Sequence, residues 1–274
     1  MGFSVRFWGV RGTIPCPADT HLAFGGNTSC VEVRTGSERI ILDAGTGIRM
    51  LGKRLLDENA LSATLLLSHT HLDHISGFPF FSPAFTPGFQ LRVMAGHLFG
   101  SDDIRSTLAR QMSRPLFPVP LHRMGADIHF EDFAPGNHFL IGDETQIRTA
   151  PLRHPDGAVG YRIEYRGRSI AYVTDTEHEP GKPNQTILDL INNVDLLMYD
   201  STYTDDEFPS KVGWGHSTWQ EATRLASLAR VKQLALFHHE PDRNDQEMTE
   251  IEHRARLILP NAFAAREGTV ITLL

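Results

Sequence analysis

Ala63-Thr64-Leu65-Leu66-Leu67-Ser68-His69-Thr70-His71-Leu72-Asp73-His74 decides how the rest of the chain is read. Residues 63–67 form a short, nearly continuous apolar run, the pattern of a strand buried on both faces. Directly after it comes an H-x-H-x-D-H motif. Side chains two apart at a strand end point the same way, so His69 and His71 can chelate one ion. The chain then turns, and Asp73 and His74 can face a second ion beside the first. Three imidazoles and a carboxylate within six residues are costly to gather unless a cation neutralises and orders them.

Two ions need further donors, and later strand ends supply them. His154 lies in Leu152-Arg153-His154-Pro155, where Pro155 stops regular structure. Asp175 closes the apolar stretch Tyr172-Val173-Thr174-Asp175 and has two oxygens with which to bridge a pair of ions. His238 and His239 end the run Leu234-Ala235-Leu236-Phe237. Adjacent strand residues face opposite ways, so one histidine of that pair is expected in the site.

Composition agrees with this chemistry. The chain holds 14 histidines but only 2 cysteines, so a metal here would be held by imidazole and carboxylate, not thiolate. Cys16 and Cys30 cannot make a disulfide framework and fit a reducing cytoplasm. The first residues lack the apolar segment of a secretory signal, and no apolar run approaches a membrane span. A formal net charge of −7 argues against a general nucleic-acid coat. At 274 residues without an evident linker, one domain over 1–274 is the expected organisation.

Strand and helix patterns mix along the chain, which implies an α/β or α+β class. Ser4–Trp8 alternates as a strand, and Cys30–Arg34 with Arg39–Leu42 reads as a hairpin. Gly160–Tyr165 and Ser169–Thr174 form a second hairpin around Arg166-Gly167-Arg168. Ser101 is the expected cap of a helix carrying Ile104, Leu108 and Met112, stopped by Pro115. Thr218 and Glu221 form a capping-box pattern. Asp245 is the expected cap of a last helix with Met248, Ile251 and Leu257 on one side. The clustered Phe78, Phe80, Phe81, Phe85 and Phe89 read first as core or dimer packing, and second as a lid or base-stacking wall over the metals.

The ordered set of motifs resembles the metallo-β-lactamase superfamily, from Gly45 to His238. The resemblance implies a four-layer αββα sandwich and two Zn²⁺ (Mn²⁺ in some relatives) per chain. It implies one ion on His69, His71 and His154 and a second on Asp73, His74 and His238, with Asp175 shared. Asp43, in Asp43-Ala44-Gly45-Thr46-Gly47, matches the superfamily's structural turn and not a ligand. Neither cysteine lies near these motifs, whereas zinc β-lactamases place one beside the second metal, so a β-lactamase is disfavoured.

Gly213-Trp214-Gly215-His216-Ser217-Thr218 narrows the branch. It resembles the G-H-S-T element of ribonuclease Z and related phosphodiesterases, whose histidine acts as acid or charge stabiliser. Asp195–Tyr203 resembles that branch's strand ending in H-E-A-T-F, with Asp200 in place of the glutamate. Its tRNA-processing members carry a long basic arm between the third histidine and the bridging aspartate. Here only a hairpin lies between His154 and Asp175. Arg6-Phe7-Trp8-Gly9-Val10-Arg11-Gly12 and Gly25-Gly26-Asn27-Thr28-Ser29 resemble arm-less bacterial phosphodiesterases, including some that cleave cyclic nucleotides.

The expected function is therefore hydrolysis of a small phosphodiester, with a 3′,5′-cyclic nucleotide as one candidate, in a cytoplasmic homodimer. A hydroxide between the ions would attack phosphorus, with Asp73 orienting it and His216 serving the leaving group. Long nucleic acid and membrane are not expected partners. An RNA 3′-processing endonuclease, a lactonase or thioesterase of the same fold, and a non-catalytic nucleotide sensor are the alternatives.

Overall fold

The computed structural model describes residues 2–274. In chain order the first sheet contains β1 (Phe3–Gly9), β2 (Cys30–Thr35), β3 (Glu38–Leu42), β4 (Ser62–Leu67), β5 (Gln90–Ala95) and β6 (Asp127–Asp132). The second contains β7 (His138–Ile141), β8 (Thr145–Leu152), β9 (Ala158–Tyr165), β10 (Arg168–Val173), β11 (Leu196–Asp200), β12 (Leu234–Phe237) and β13 (Ala262–Ala264). A last strand, β14 (Val270–Thr272), returns to the first sheet, giving the orders β14-β1-β2-β3-β4-β5-β6 and β13-β12-β11-β10-β9-β8-β7.

Period-two side-chain alternation makes these strands into a layered body. Ile40, Leu42 and Leu66 point into the space between the sheets, where they meet Tyr161, Tyr172, Met198 and Phe237. Their neighbours Ile41, Leu65 and Leu67 point outward under α1 (Ile48–Asp57). The one α-helix between α1 and α3 (Ile104–Gln111) in the chain is the four-residue α2 (Leu72–Ile75). On the far face Leu197, Tyr199 and Leu236 pack beneath α4 (Gln185–Ile191), α5 (Trp219–Leu228) and α6 (Asp245–Ile258). The result is helix, sheet, sheet, helix, the expected αββα arrangement.

The inner ends of β3, β4 and β5 run parallel, as do β10, β11 and β12. Parallel strands bring their C-terminal ends to one edge, and in open α/β sheets that edge is where ligand sites form. Residues far apart in sequence, from 68 to 239, are thereby gathered along one edge.

Several local expectations need correction. Asp103, not Ser101, caps α3, accepting from Ser106 N–H at 2.8 Å. Asn244, not Asp245, caps α6 in a reciprocal box with Glu247, while Asp245 instead accepts the Ala23 N–H at 2.9 Å. Leu257 is 74% exposed, since the buried stripe of α6 runs through Met248, Ile251 and Ala255. Thr218 caps α5, but Glu221 turns to Arg224 and leaves the box half made. The Phe-rich stretch, by contrast, follows its first reading for the most part: Phe78, Phe81 and Phe89 are buried in the core that α1 shares, Phe85 is half-buried, and Phe80 is exposed.

Candidate metal centre

The ligand-motif loop is built from Asp43 outward. At the end of β3 this carboxylate accepts the Ser68 N–H at 2.7 Å and the Ser68 hydroxyl at 2.8 Å. Its Oδ2 also takes His74 Nδ1–H and the Tyr172 hydroxyl, each at 2.8 Å. Asp43 thus fixes both ends of the motif while its own side chain stays fully buried. His71 then stands at the N-terminus of α2, and His74 N–H bonds back to the His71 carbonyl at 3.0 Å. That turn sends the histidines before it and the pair after it in different directions.

The seven candidate donors converge into overlapping groups. Donor atoms of His69, His71 and His154 lie within 4.8 Å of one another, as do those of Asp73, His74, Asp175 and His238. Asp175 touches both groups: Oδ1 lies 3.8 Å from both His69 Nε2 and His154 Nε2, and Oδ2 lies 3.1 Å from His74 Nε2. Of the 238/239 pair, His238 enters the cluster, whereas buried His239 bonds the Ala265 carbonyl at 2.8 Å. Burial pushes His239 down to about 3, with nearby Arg11 adding to the effect, so it is a neutral structural group.

Backbone strain marks these strand ends. Asp43, Asp175 and His238 sit at φ 62°, 53° and 61°, a left-handed region uncommon for residues other than glycine. Each lies just beyond a buried strand and turns its side chain into the shared cluster. Strain at such positions persists only where surrounding contacts over-determine it.

The hydrogen-bond network leaves lone pairs aimed at one another. His74 Nδ1 donates to Asp43, so Nε2 keeps its lone pair 3.1 Å from Asp175 and 3.2 Å from Asp73, out of hydrogen-bond alignment. His69 Nε2 is likewise buried with no partner. His154 Nδ1 donates to the Gly215 carbonyl at 2.7 Å, and its Nε2 shares a hydrogen bond with His71 Nδ1 at 3.0 Å. An orphaned buried polar group costs roughly 1–3 kcal/mol. A cation at each convergence removes that cost, so the cluster is able to bind metal and its donor set fits the ion pair that the sequence implied.

The two groups differ electrostatically. Burial alone would lower His74, but Asp175, Asp73 and Asp43 outweigh it and hold it well above the usual imidazole range, so that until a cation takes the Nε2 lone pair these carboxylates draw a proton to it. Burial and the neighbouring imidazoles, His74 above all, push His69 well below that range. Burial opposes ionisation of Asp73 too, yet His74 and His238 keep its carboxyl far below ordinary values.

Beside the cluster stands the 213–218 element, and each residue from 215 to 218 has a task. Gly215 adopts φ +85°, and a Cβ there would overlap the His154 ring. His216 Nδ1 donates to Asp200 Oδ2 at 2.9 Å and lies 3.7 Å from Asp175 Oδ1. Ser217 holds His178 at 2.9 Å, and Thr218 caps α5. Although burial opposes it, the Asp200 carboxylate pushes His216 up to about 9. Asp200 also accepts the Thr202 hydroxyl at 2.8 Å, and Thr202 in turn meets His238 Nδ1 at 3.0 Å. One buried aspartate therefore orients two histidines of the site. Sequence reading left this position without a role because an aspartate stands where the similar branch has a glutamate; the shared position at a strand end was the available signal.

A family model described as "Beta-lactamase superfamily domain" matches residues 38–239, and the chain belongs to that superfamily. It is an enzyme of the metal-dependent hydrolase class that this fold and centre define. The chain is 25% identical to a ribonuclease Z of Gemmatimonas aurantiaca, over all of this chain and 96% of that protein. The metallo-beta-lactamase fold protein YhfI of Bacillus subtilis superposes with a TM-score of 0.75 at 18% identity, covering 98% of each chain. A diphosphatase of the PhnP family superposes at 0.69 and 17% identity, covering 98% of this chain and 97% of that one. No helix among the described residues is long and apolar enough to cross a membrane.

Proposed function

We propose that this chain is a dinuclear-metal phosphodiesterase acting on a small phosphodiester. In this reading His69, His71 and His154 hold one ion and Asp73, His74 and His238 a second, with Asp175 shared, and Zn²⁺ or Mn²⁺ as the metal. When bound, such ions lower the pKa of water toward neutrality and take up charge on phosphoryl oxygens.

The observation that carries the proposal is the His216–Asp200 pair beside Asp175. Cleaving a phosphodiester expels an alkoxide, a poor leaving group that benefits from a proton donor. His216, held protonated by Asp200, keeps that proton at the edge of the cluster, and its Nδ1–H bond to Asp200 leaves Nε2 to face substrate. A carbonyl hydrolase such as a lactonase has less need of this acid. Asp73 stays ionised and accepts the proton of the attacking water; Thr13 N–H steadies its Oδ2 at 2.8 Å.

Substrate size is read from what separates the donors. Between His154 and Asp175 the chain makes only the β9–β10 hairpin, and no arm is built there to reach a folded RNA. That supports a small diester, with a 3′,5′-cyclic nucleotide as one candidate; a cytoplasmic homodimer is part of the proposal by resemblance alone. The ribonuclease Z similarity favours a second reading, RNA 3′-end cleavage with the same residues.

The test is a substrate panel on metal-loaded protein: bis-p-nitrophenyl phosphate, cyclic purine and pyrimidine nucleotides, a pre-tRNA and a lactone. Turnover of the diesters is expected. Hydrolysis of the lactone alone would sink the proposal, and pre-tRNA cleavage far exceeding that of small diesters would replace it with the second reading.

A further inference from the structure

The N-terminal stretch Val10-Arg11-Gly12-Thr13 precedes the 38–239 segment matched by the superfamily and contributes none of the seven donors. Yet Arg11 is fully buried. Its guanidinium is held by backbone carbonyls: Nε donates to Gly25 at 2.9 Å, and Nη1 to Glu240 at 3.1 Å and Arg243 at 2.8 Å. Burying a cation on neutral carbonyls is a costly way to fill space. What the arrangement secures is the join between two loops, one leaving β1 and one beyond His238.

The backbone around Arg11 completes that join. Val10 and Arg11 N–H both donate to the Asn27 carbonyl, at 2.9 and 3.0 Å. Gly12 N–H donates to the His239 carbonyl and His239 N–H to that of Val10, each at 3.0 Å. Two consequences reach the cluster. Thr13, a β-branched residue at φ +63°, aims its N–H at Asp73 Oδ2. Gly12 lies flat against the His238 imidazole, so close that a Cβ would overlap the ring. Asp73 and His238 both belong to the carboxylate-bearing half of the cluster, and the loop makes no comparable contact with His69, His71 or His154 among the described residues.

We infer that Arg11 is a positioning residue for that half alone: by clipping the 10–13 loop to the 240–243 loop it sets the affinity of the ion held by Asp73, His74 and His238. The inference rests on the two-ion reading of the proposed function. It requires nothing of the substrate and is tested without activity.

The experiment measures metal bound per chain during titration against a graded chelator, with circular dichroism to verify folding. Wild type is expected to hold two equivalents. Arg11→Met and Gly12→Ala should each weaken one equivalent by ~10–100-fold, the usual effect of disturbing the groups that orient ligands, and leave the other unchanged. Thr13→Gly, which keeps the N–H and suits the positive φ, should behave as wild type. Combination with ligand substitutions assigns the loss. Arg11→Met should release the remaining ion from a His71→Ala chain and spare the one in a His74→Ala chain. If both equivalents weaken together in folded Arg11→Met, or neither weakens in Gly12→Ala, the inference is wrong. Gly12→Ala decides the matter should Arg11→Met not fold. A wild-type chain holding fewer than two equivalents overturns the two-ion reading and this inference with it, an outcome visible before any variant is made.

Discussion

The two halves of the cluster are neighbours through Asp175 but are built on opposite plans. His69, His71 and His154 form an all-imidazole group, and its outermost member, His71, has a side chain 42% exposed. Asp73, His74, Asp175 and His238 form an anionic group, all buried. Support differs in the same sense. Asp43, Thr13 and Thr202 all brace the buried half, whereas in the open half Ser68 Oγ meets His69 Nδ1 at 3.1 Å and His154 bonds one backbone carbonyl and His71. Neutral imidazoles leave an ion its full charge and an open face toward ligand, while carboxylates neutralise an ion and hold it. On the proposed two-ion reading, the open half meets substrate and the sealed half anchors.

The largest effect should come from the residue the halves share. Asp175→Asn is expected to lose both ions and about a thousandfold or more of diesterase activity, since several kcal/mol of charge stabilisation go with them. Metal analysis of the purified variant checks this, and retention of two equivalents would remove the bridge from the comparison.

Next come single-half substitutions. His71→Ala and His74→Ala should each leave one equivalent bound. The surviving ion in His71→Ala, sitting among carboxylates, should resist chelator more strongly than the one in His74→Ala. Equal resistance would erase the contrast between the halves.

His216→Ala should keep both equivalents and lose ~10²–10⁴ in kcat, the usual contribution of a positioned acid. Full activity in a fully loaded His216→Ala protein would show that the leaving group needs no help from this side chain.

A smaller effect is expected of Asp200→Asn. Its carboxylate raises His216, so the protonated form persists below about 9 and is lost above it. Without that carboxylate the alkaline limb of the kcat–pH profile should move to lower pH, with turnover reduced ~10–100-fold. An unmoved limb would mean that some other group donates the proton. The smallest change expected is in Ser68→Ala, which removes one hydroxyl donor from Asp43 and should cost about 1 kcal/mol in a denaturant melt.

Much of this centre was legible in the chain. The apolar run at 63–67 fixed the strand, and ligand-type residues at alternate positions after it fixed a chelating pair, because strand geometry leaves little freedom at a strand end. The partition of donors into two groups comes from the resemblance; the structure brings these donors together in overlapping groups that also take in His216 and Asp200. Less legible were contacts that depend on three-dimensional approach. Ser101 and Asp245 each stand within two residues of the true cap, and nothing local distinguishes them from Asp103 and Asn244. The phenylalanines at 78–89 offered both a wall and a core; the packing of α1 over them made them core.

By itself the sequence determined the class of fold and marked the candidate donors at 69, 71, 73, 74, 154 and 175, because residue type and strand periodicity act over a few residues at a time. Strand pattern left His238 and His239 equivalent; the resemblance favours His238, and the tertiary structure turns it inward through a strained φ which only the surrounding contacts sustain. It alone gave Asp200 its two histidines and Arg11 its place between two loops. Those contacts join residues up to 232 positions apart, and no local propensity encodes them until the sheets have packed.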